Sequence, residues 1–335
     1  MVQLPTTPGS VTLTDAERES GKWTPANLQR ALELLHRDGV LVLNNIVPIS
    51  DLEKLRDSML PTAHKIKNQK LDLTQFNHGV ASNFLQSPPL SDPALQLPSV
   101  YTNPFVVSMA EHYLGPNLQL PFITANVACA QTTERQPVHK DASYRHPEAR
   151  WGMVANFLLS DFVPANGSTE FWLGTHVNTG QRDQMWASQD ADAPTCDIIP
   201  ARLEERRAVR PPSQVDVKFG SVVLRDMCVW HAGMPNPSEE DRIMIAVSYF
   251  PSWFPVGQGF KAPASIKPLF TSLSPRVSVL ATYVPDDEWD AEFLSAPMKI
   301  AYAPPRGLQW KTIGDIPNEE KVLNPRFQGN HGVKY

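Results

Sequence analysis

Gln136-Pro137-Val138-His139-Lys140-Asp141 is the stretch around which the chain is organised, and the run Val222 to His231 (VVLRDMCVWH) answers it far downstream. Both read as strands. Residues i and i+2 of a strand point to the same face, so His139 and Asp141 present an imidazole and a carboxylate to one point. His231 supplies a third donor if the two strands end near each other. Two imidazoles and one carboxylate on one side of an ion leave its other side open, the donor set that suits non-haem Fe(II). A His-x-Asp triplet is weak evidence by itself. The chain holds a second copy, His36-Arg37-Asp38. That copy ends a helical pattern before Gly39, where i and i+2 do not face each other, and it reads as polarity at a helix end.

Working outward from the triplet, the texture from residue 118 onward is β. Leu120 to Ala130 alternates loosely, Trp151 to Leu159 is an apolar strand, and Asn166-Gly167 is a tight-turn signal. Ser168 to Leu173, Val215 to Phe219, Val222 to Arg225 and Arg242 to Phe250 continue the pattern. Short strands with frequent turn signals indicate a sandwich or barrel. The expected fold is mainly β: a double-stranded β-helix core, jelly-roll or cupin-like, with N-terminal helices packed on one sheet. The first helix opens at Thr24-Pro25, carries Leu28, Ala31, Leu32, Leu34 and Leu35 at helical spacing, and stops at Gly39. A second starts at Pro48 with Ser50 as its cap and runs through Leu52, Leu55 and Met59. A third is expected from Thr102 to Leu114.

His64 and His78 could each serve as a ligand but read first as surface or loop histidines, and His112 reads as structural. Residues 176–213 form a long polar interruption between the two halves of the candidate site, a solvated helix or loop that is also placed to act as a lid. Residues 255–335 read as irregular with modest helical pieces. One domain is expected over 1–335: a core over about 25–255, an insertion at 176–213 and a C-terminal extension over 256–335.

The net charge of −5 is mild and the basic residues are scattered, which excludes a nucleic-acid footprint. No apolar stretch approaches a membrane span. Cys129, Cys196 and Cys228 are far apart with no CxxC, which fits free thiols in a reducing compartment. The opening MVQLPTTPGS lacks a basic and apolar leader, and Val333-Lys334-Tyr335 is not a peroxisomal address. The expectation is a cytoplasmic enzyme with a small-molecule substrate and neither nucleic acid nor membrane as partner. The 32 prolines are spread along the chain, as loops between short strands require. No HExxH, GxSxG or Walker pattern is present. Gly257-Gln258-Gly259-Phe260-Lys261-Ala262 matches a dinucleotide pattern without the surrounding βαβ context and reads as a loop. Lys140, Arg145 and Arg225 read as solvated charges.

Arg242 follows His231 after a proline-rich turn. The two are expected to come close across a hairpin, where the guanidinium can clamp a carboxylate with two parallel hydrogen bonds. The bland alternative is a surface arginine paired with Asp241 or Glu239.

Together these pieces resemble the phytanoyl-CoA dioxygenase family of Fe(II)/2-oxoglutarate-dependent oxygenases, in its branch that tailors natural products. The resemblance rests on Asp38-Gly39 with the apolar strand after it, His139-Lys140-Asp141, Asn166-Gly167-Ser168-Thr169 leading to Gly174-Thr175-His176, Gly220 before an apolar strand, and His231 with Arg242. It implies that His139, Asp141 and His231 hold the iron and carry the catalysis, and that Arg242 binds the distal carboxylate of 2-oxoglutarate. Gln136 and Thr169 match positions that help hold this cosubstrate, and His176 matches a structural histidine. The reaction implied oxidises a C–H bond of a small metabolite with O2, by hydroxylation, desaturation or ring formation, and releases succinate and CO2. A homodimer is suggested by relatives. One departure is Gly233, where many relatives carry serine. Two other readings stay open: a non-catalytic jelly-roll binding protein that retains these residues, and a zinc hydrolase using the same ligands.

Overall fold

Val40 to Leu43 is apolar at four consecutive positions and buried at all four, so this strand packs on both faces, as the interior of a layered β protein requires. The computed structural model describes residues 4–141, 149–191, 193–256, 259–298 and 316–327. Arg145, the Gly257-Gln258 start of the glycine-rich loop and Val333-Lys334-Tyr335 lie outside them.

Fourteen strands form among the described residues: β1 (Gly9–Thr12), β2 (Val40–Asn44), β3 (Asn83–Gln86), β4 (Leu118–Leu120), β5 (Ile123–Ala128), β6 (Met153–Leu158), β7 (Glu170–Trp172), β8 (Ser213–Gln214), β9 (Val222–Asp226), β10 (Trp230–Ala232), β11 (Arg242–Pro251), β12 (Phe260–Pro263), β13 (Val277–Val279) and β14 (Ala281–Val284). The main sheet runs β1-β2-β9-β6-β11-β4-β13, with β5 also on β11 and β3 on β5. A second sheet runs β10-β7-β8, and His139 extends it by bridging to both His231 and Asp197.

Strand alternation divides the core in two. Ala155, Phe157, Ile243, Ile245 and Val247 face outward and join Leu34, Leu35, Leu52, Leu55, Val106 and Met109 of the helices Pro25–Asp38, Ile49–Lys67 and Pro104–Leu114. Val40, Val42, Leu158, Val223 and Met244 face inward and meet Phe171 and Leu173 from the second sheet. The expected double-stranded β-helix with N-terminal helices on one sheet is the architecture found.

Local chemistry sets the helix ends. Thr24 accepts from the Asn27 N–H, and Gly39 closes the first helix at φ 71°. A Cβ at Gly39 would also meet His176 Nδ1 at 2.6 Å, so glycine is required twice over. Ser50 does not cap the second helix. That helix begins after Pro48 without a side-chain cap, and Ser50 lies in its first turn. The third helix is capped by Asn103, one residue after the expected start. Asp38 is fully buried between Arg37 and Arg210, whose Nη2 donates to it at 2.7 Å. The second His-x-Asp copy therefore ends in an interior ion pair, not in simple helix-end polarity.

Residues beyond 255 are more regular than expected. β12 pairs β14, and β13 joins the edge of the main sheet beside β4. Within 176–213, Pro200–Val209 is helical, and residues 196–198 pair with the extended segment around His139, which forms isolated bridges and not the strand expected of it: Ile198 N–H donates to Val138 O at 2.9 Å and Lys140 N–H to Cys196 O at 3.2 Å. No helix among the described residues is long and apolar enough to cross a membrane.

Candidate metal centre

His139 and His231 are paired residues of one backbone ladder. Each donates its N–H to the other's carbonyl, at 2.9 and 2.8 Å, and the ring centroids stand 4.3 Å apart. Asp141 follows two positions on, fixed by its N–H to Met227 O. The three predicted ligands therefore converge. Nε2 of His231 is 3.5 Å and Nε2 of His139 is 3.9 Å from the same Asp141 Oδ1.

The hydrogen-bond partners decide which imidazole nitrogen is free. His139 Nδ1 lies 2.8 Å from Pro137 O and His231 Nδ1 lies 2.9 Å from Val229 O. A carbonyl oxygen only accepts, so each Nδ1 carries a proton, which in the neutral ring leaves the lone pair on Nε2. Two lone pairs aimed at a carboxylate oxygen repel one another until a cation sits among them. The two imidazole nitrogens stand 3.5 and 3.9 Å from one carboxylate oxygen, a set of donor types that suits a first-row divalent metal.

The electrostatics agree. Burial, with His78 and His231 nearby, holds His139 well below the usual imidazole range, so it is neutral. Burial alone would push Asp141 up, but the Arg225 guanidinium beside it outweighs that and holds the carboxyl well below its ordinary value. Arg225 Nη2 donates to Asp141 Oδ2 at 2.5 Å. That bond leaves Oδ1 as the oxygen facing the imidazoles. Arg225 is buried and Lys140 is fully buried, which corrects the expectation of solvated charge at both.

Arg242 is on β11 of the main sheet and His231 on β10 of the second. The turn between them crosses from sheet to sheet, so the expected hairpin is not formed. The bland alternative fails too: Asp241 pairs with Lys67 and His64, while Arg242 turns inward. Its Nε and Nη2 donate to Asn166 O at 3.1 Å and Gly167 O at 2.9 Å, and it lies 4.3 Å over the Phe162 ring. Nη1 is buried without a hydrogen-bond partner. With no carboxylate to offset desolvation, burial lowers this guanidinium to about 9. An interior cation left in this state is costly and matches an anion supplied from outside the chain.

Gln136 is buried, accepts from the Gly233 N–H at 2.8 Å and reaches Asn77 O. The register Ala232↔Glu170 and His231↔Phe171 puts Thr169 and Phe171 on the same face as His231 by alternation. His176 is remote from the ligands, its Nε2 3.0 Å from His36 O, in keeping with a structural role. His112 likewise bonds its own helix, at Ser108 O.

His78 lies at the site and not on the surface or in an outlying loop, the reading preferred for it from sequence. It is buried, its ring centroid 3.6 Å from that of His139. The ligand atoms of His78, His139 and Asp141 all lie within 4.8 Å of one another, and burial above all lowers His78 to about 3. Its irregular surroundings gave no periodic pattern from which this could be read. An open groove of about 490 Å³ lined by Arg56, Leu60, Asp161 and Asn166 reaches Arg242 but none of the three ligands. Donor atoms converge at the histidines, so the chemistry belongs there.

Solved structures of similar fold include AviO1 from Streptomyces viridochromogenes Tue57, at 18% identity over 70% of this chain and 99% of that one, with a TM-score of 0.50. ThoJ, described as a non-heme monooxygenase in its apo form, aligns at 16% identity over 68% of this chain and 81% of its own, with a TM-score of 0.46. At such identity the likeness to AviO1 speaks for the fold alone. The family model for phytanoyl-CoA dioxygenase (PhyH) matches residues 35–244, more than half of the sequence and inclusive of His139, Asp141, His231 and Arg242. The chain therefore belongs to the phytanoyl-CoA dioxygenase family of non-haem iron oxygenases.

Proposed function

We propose that the protein is an Fe(II)/2-oxoglutarate-dependent dioxygenase that oxidises a C–H bond of a small-molecule metabolite in secondary metabolism. The outcome is hydroxylation, desaturation or ring formation. The observation that supports the 2-oxoglutarate dependence is Arg242, a buried guanidinium whose Nη1 has no hydrogen-bond partner among the described residues and whose other donors meet only the Asn166 and Gly167 carbonyls.

His139, Asp141 and His231 would hold the iron through Nε2, Oδ1 and Nε2. Iron, 2-oxoglutarate and O2 together supply the C–H oxidation, with succinate and CO2 as co-products. The chain's own work is positional. Backbone carbonyls fix both imidazole tautomers, and Arg225 orients Asp141. Arg242 receives the distal carboxylate of the keto acid, with Gln136 and Thr169 beside its path. Phe162 and Phe171 exclude water from this end of the interior, which strengthens each of these contacts. In this reading residues 1–335 act as one domain, and 176–213 and the C-terminal extension shape the mouth of the pocket.

The test is spectroscopic. Anaerobic addition of Fe(II) and then 2-oxoglutarate should give a weak visible charge-transfer band, and admission of air should yield succinate. Absence of the band, together with no succinate, would leave a binding protein with the family's residues.

A further inference from the structure

We propose that His78 is a fourth metal-ligating residue of this centre, bound in the enzyme that lacks keto acid and displaced when the keto acid chelates. The proposal rests on reading the site as a metal centre. It adds a residue that the three-ligand set does not contain.

The first ground is distance. A potential ligand atom of His78 lies within 4.8 Å of those of both His139 and Asp141. Its ring overlaps that of His139, with centroids 3.6 Å apart and planes inclined by 35°. In the proposal one of its ring nitrogens completes the donor set.

The second ground is how the backbone delivers the ring. His78 sits in the single turn Asn77–Gly79 with φ 56° and ψ 22°, the left-handed region that non-glycine residues seldom occupy. Such conformations persist where surrounding contacts impose them. Here Arg326 donates to the His78 carbonyl and Gln136 donates to the Asn77 carbonyl. Arg326 is in turn held by the buried carboxylate of Asp197 at 3.0 Å, the residue that bridges to His139 on the side away from His231. One connected set of contacts fixes both the His139 segment and the turn that presents His78.

The third ground is coordination arithmetic. An octahedral ion held by three residues keeps three positions, two for a chelating keto acid and one for O2. A fourth protein ligand and full loading with both cosubstrates exclude each other. The proposal assigns His78 to one of the two positions that the keto acid takes, so the two compete.

Co(II) serves as the probe, because its visible absorption reports coordination number. Without keto acid, the His78→Ala protein should bind Co(II) about tenfold more weakly than wild type, with an altered band. It should bind 2-oxoglutarate more tightly, because the competitor is gone, and at saturating 2-oxoglutarate the two spectra should coincide. His78→Gln, which keeps a polar side chain of similar bulk, should behave as the alanine variant does. The wild-type protein alone gives an independent reading: pulsed EPR of its Cu(II) form should count three imidazoles. Two imidazoles, or identical Co(II) affinity and spectrum in wild type and both variants, would overturn the proposal while leaving the charge-transfer band of the parent reading intact. Failure of the wild-type protein to bind Co(II) would overturn both.

Discussion

Arg225 Nη2 and Asp141 Oδ2 are 2.5 Å apart, in an ion pair whose two side chains are both buried. Arg225 thereby governs which oxygen of Asp141 is available, and it does so from the strand opposite Val40 and Val154. Replacing it by methionine keeps the bulk and strands the carboxylate. Arg225→Met should weaken Co(II) binding by about 10- to 100-fold and destabilise the metal-free protein by roughly 3 kcal/mol or more. Metal titration and urea unfolding check the two parts separately.

Arg242 should behave in the opposite sense. Its charge is desolvated without a carboxylate partner, so Arg242→Met removes a cost along with two bonds to carbonyls. Unfolding of the ligand-free variant should change by no more than about 1 kcal/mol. In thermal unfolding, 2-oxoglutarate should raise the midpoint of the iron-loaded wild type and leave that of the variant where it was. A variant still stabilised by 2-oxoglutarate would remove Arg242 from the site.

Asp38 tests stability away from the metal. It lies fully buried between Arg37 and Arg210, and Asp38→Ala leaves Arg210 charged and unpaired in the interior. A loss of about 3–5 kcal/mol is expected from urea unfolding, with Co(II) affinity unchanged.

Glu17 supplies an acid-dependent signature. Burial opposes its ionisation, but N–H groups of Thr14 and Thr24, the Thr24 hydroxyl and the Asn27 amide all donate to its carboxylate and lower it to about 2 from an ordinary 4.5. The unfolded chain therefore binds the proton more readily. The stabilisation is complete above pH 4.5 and disappears as pH falls through 2. Glu17→Gln should lose most of it at pH 7, and the gap between variant and wild type should narrow as pH is lowered from 4.5 towards 2.

Gly233 is glycine for a spatial reason. A Cβ there would come 2.6 Å from Gln136 Oε1 and 3.0 Å from Asn83 Oδ1. Gly233→Ser should push the Gln136 amide off the Gly233 N–H, cost about 1–3 kcal/mol and weaken 2-oxoglutarate binding. Equilibrium dialysis of the keto acid measures the latter.

The approach of His139, Asp141 and His231 to one another was legible because an extended backbone aligns residues two apart, and β10 is apolar enough to announce itself. Arg225 was not. It sits in a run, Val222 to Asp226, that is buried at every position, so no exposed face marks which residues turn inward. His78 escaped for a different reason, since a left-handed residue between isolated turns has no period to detect. The hairpin expected between His231 and Arg242 failed because a strand pattern does not say which sheet each strand joins. β12 to β14 are only three or four residues each, too short for alternation to stand out.

The ladder that joins His139 to His231 has a consequence for divergence. Two main-chain bonds, made by atoms common to every amino acid, set the spacing of the imidazoles. Loops elsewhere on the barrel can lengthen, shrink or be exchanged without altering that gauge. Descendants of such a protein are free to acquire new substrates while the ion keeps its seat.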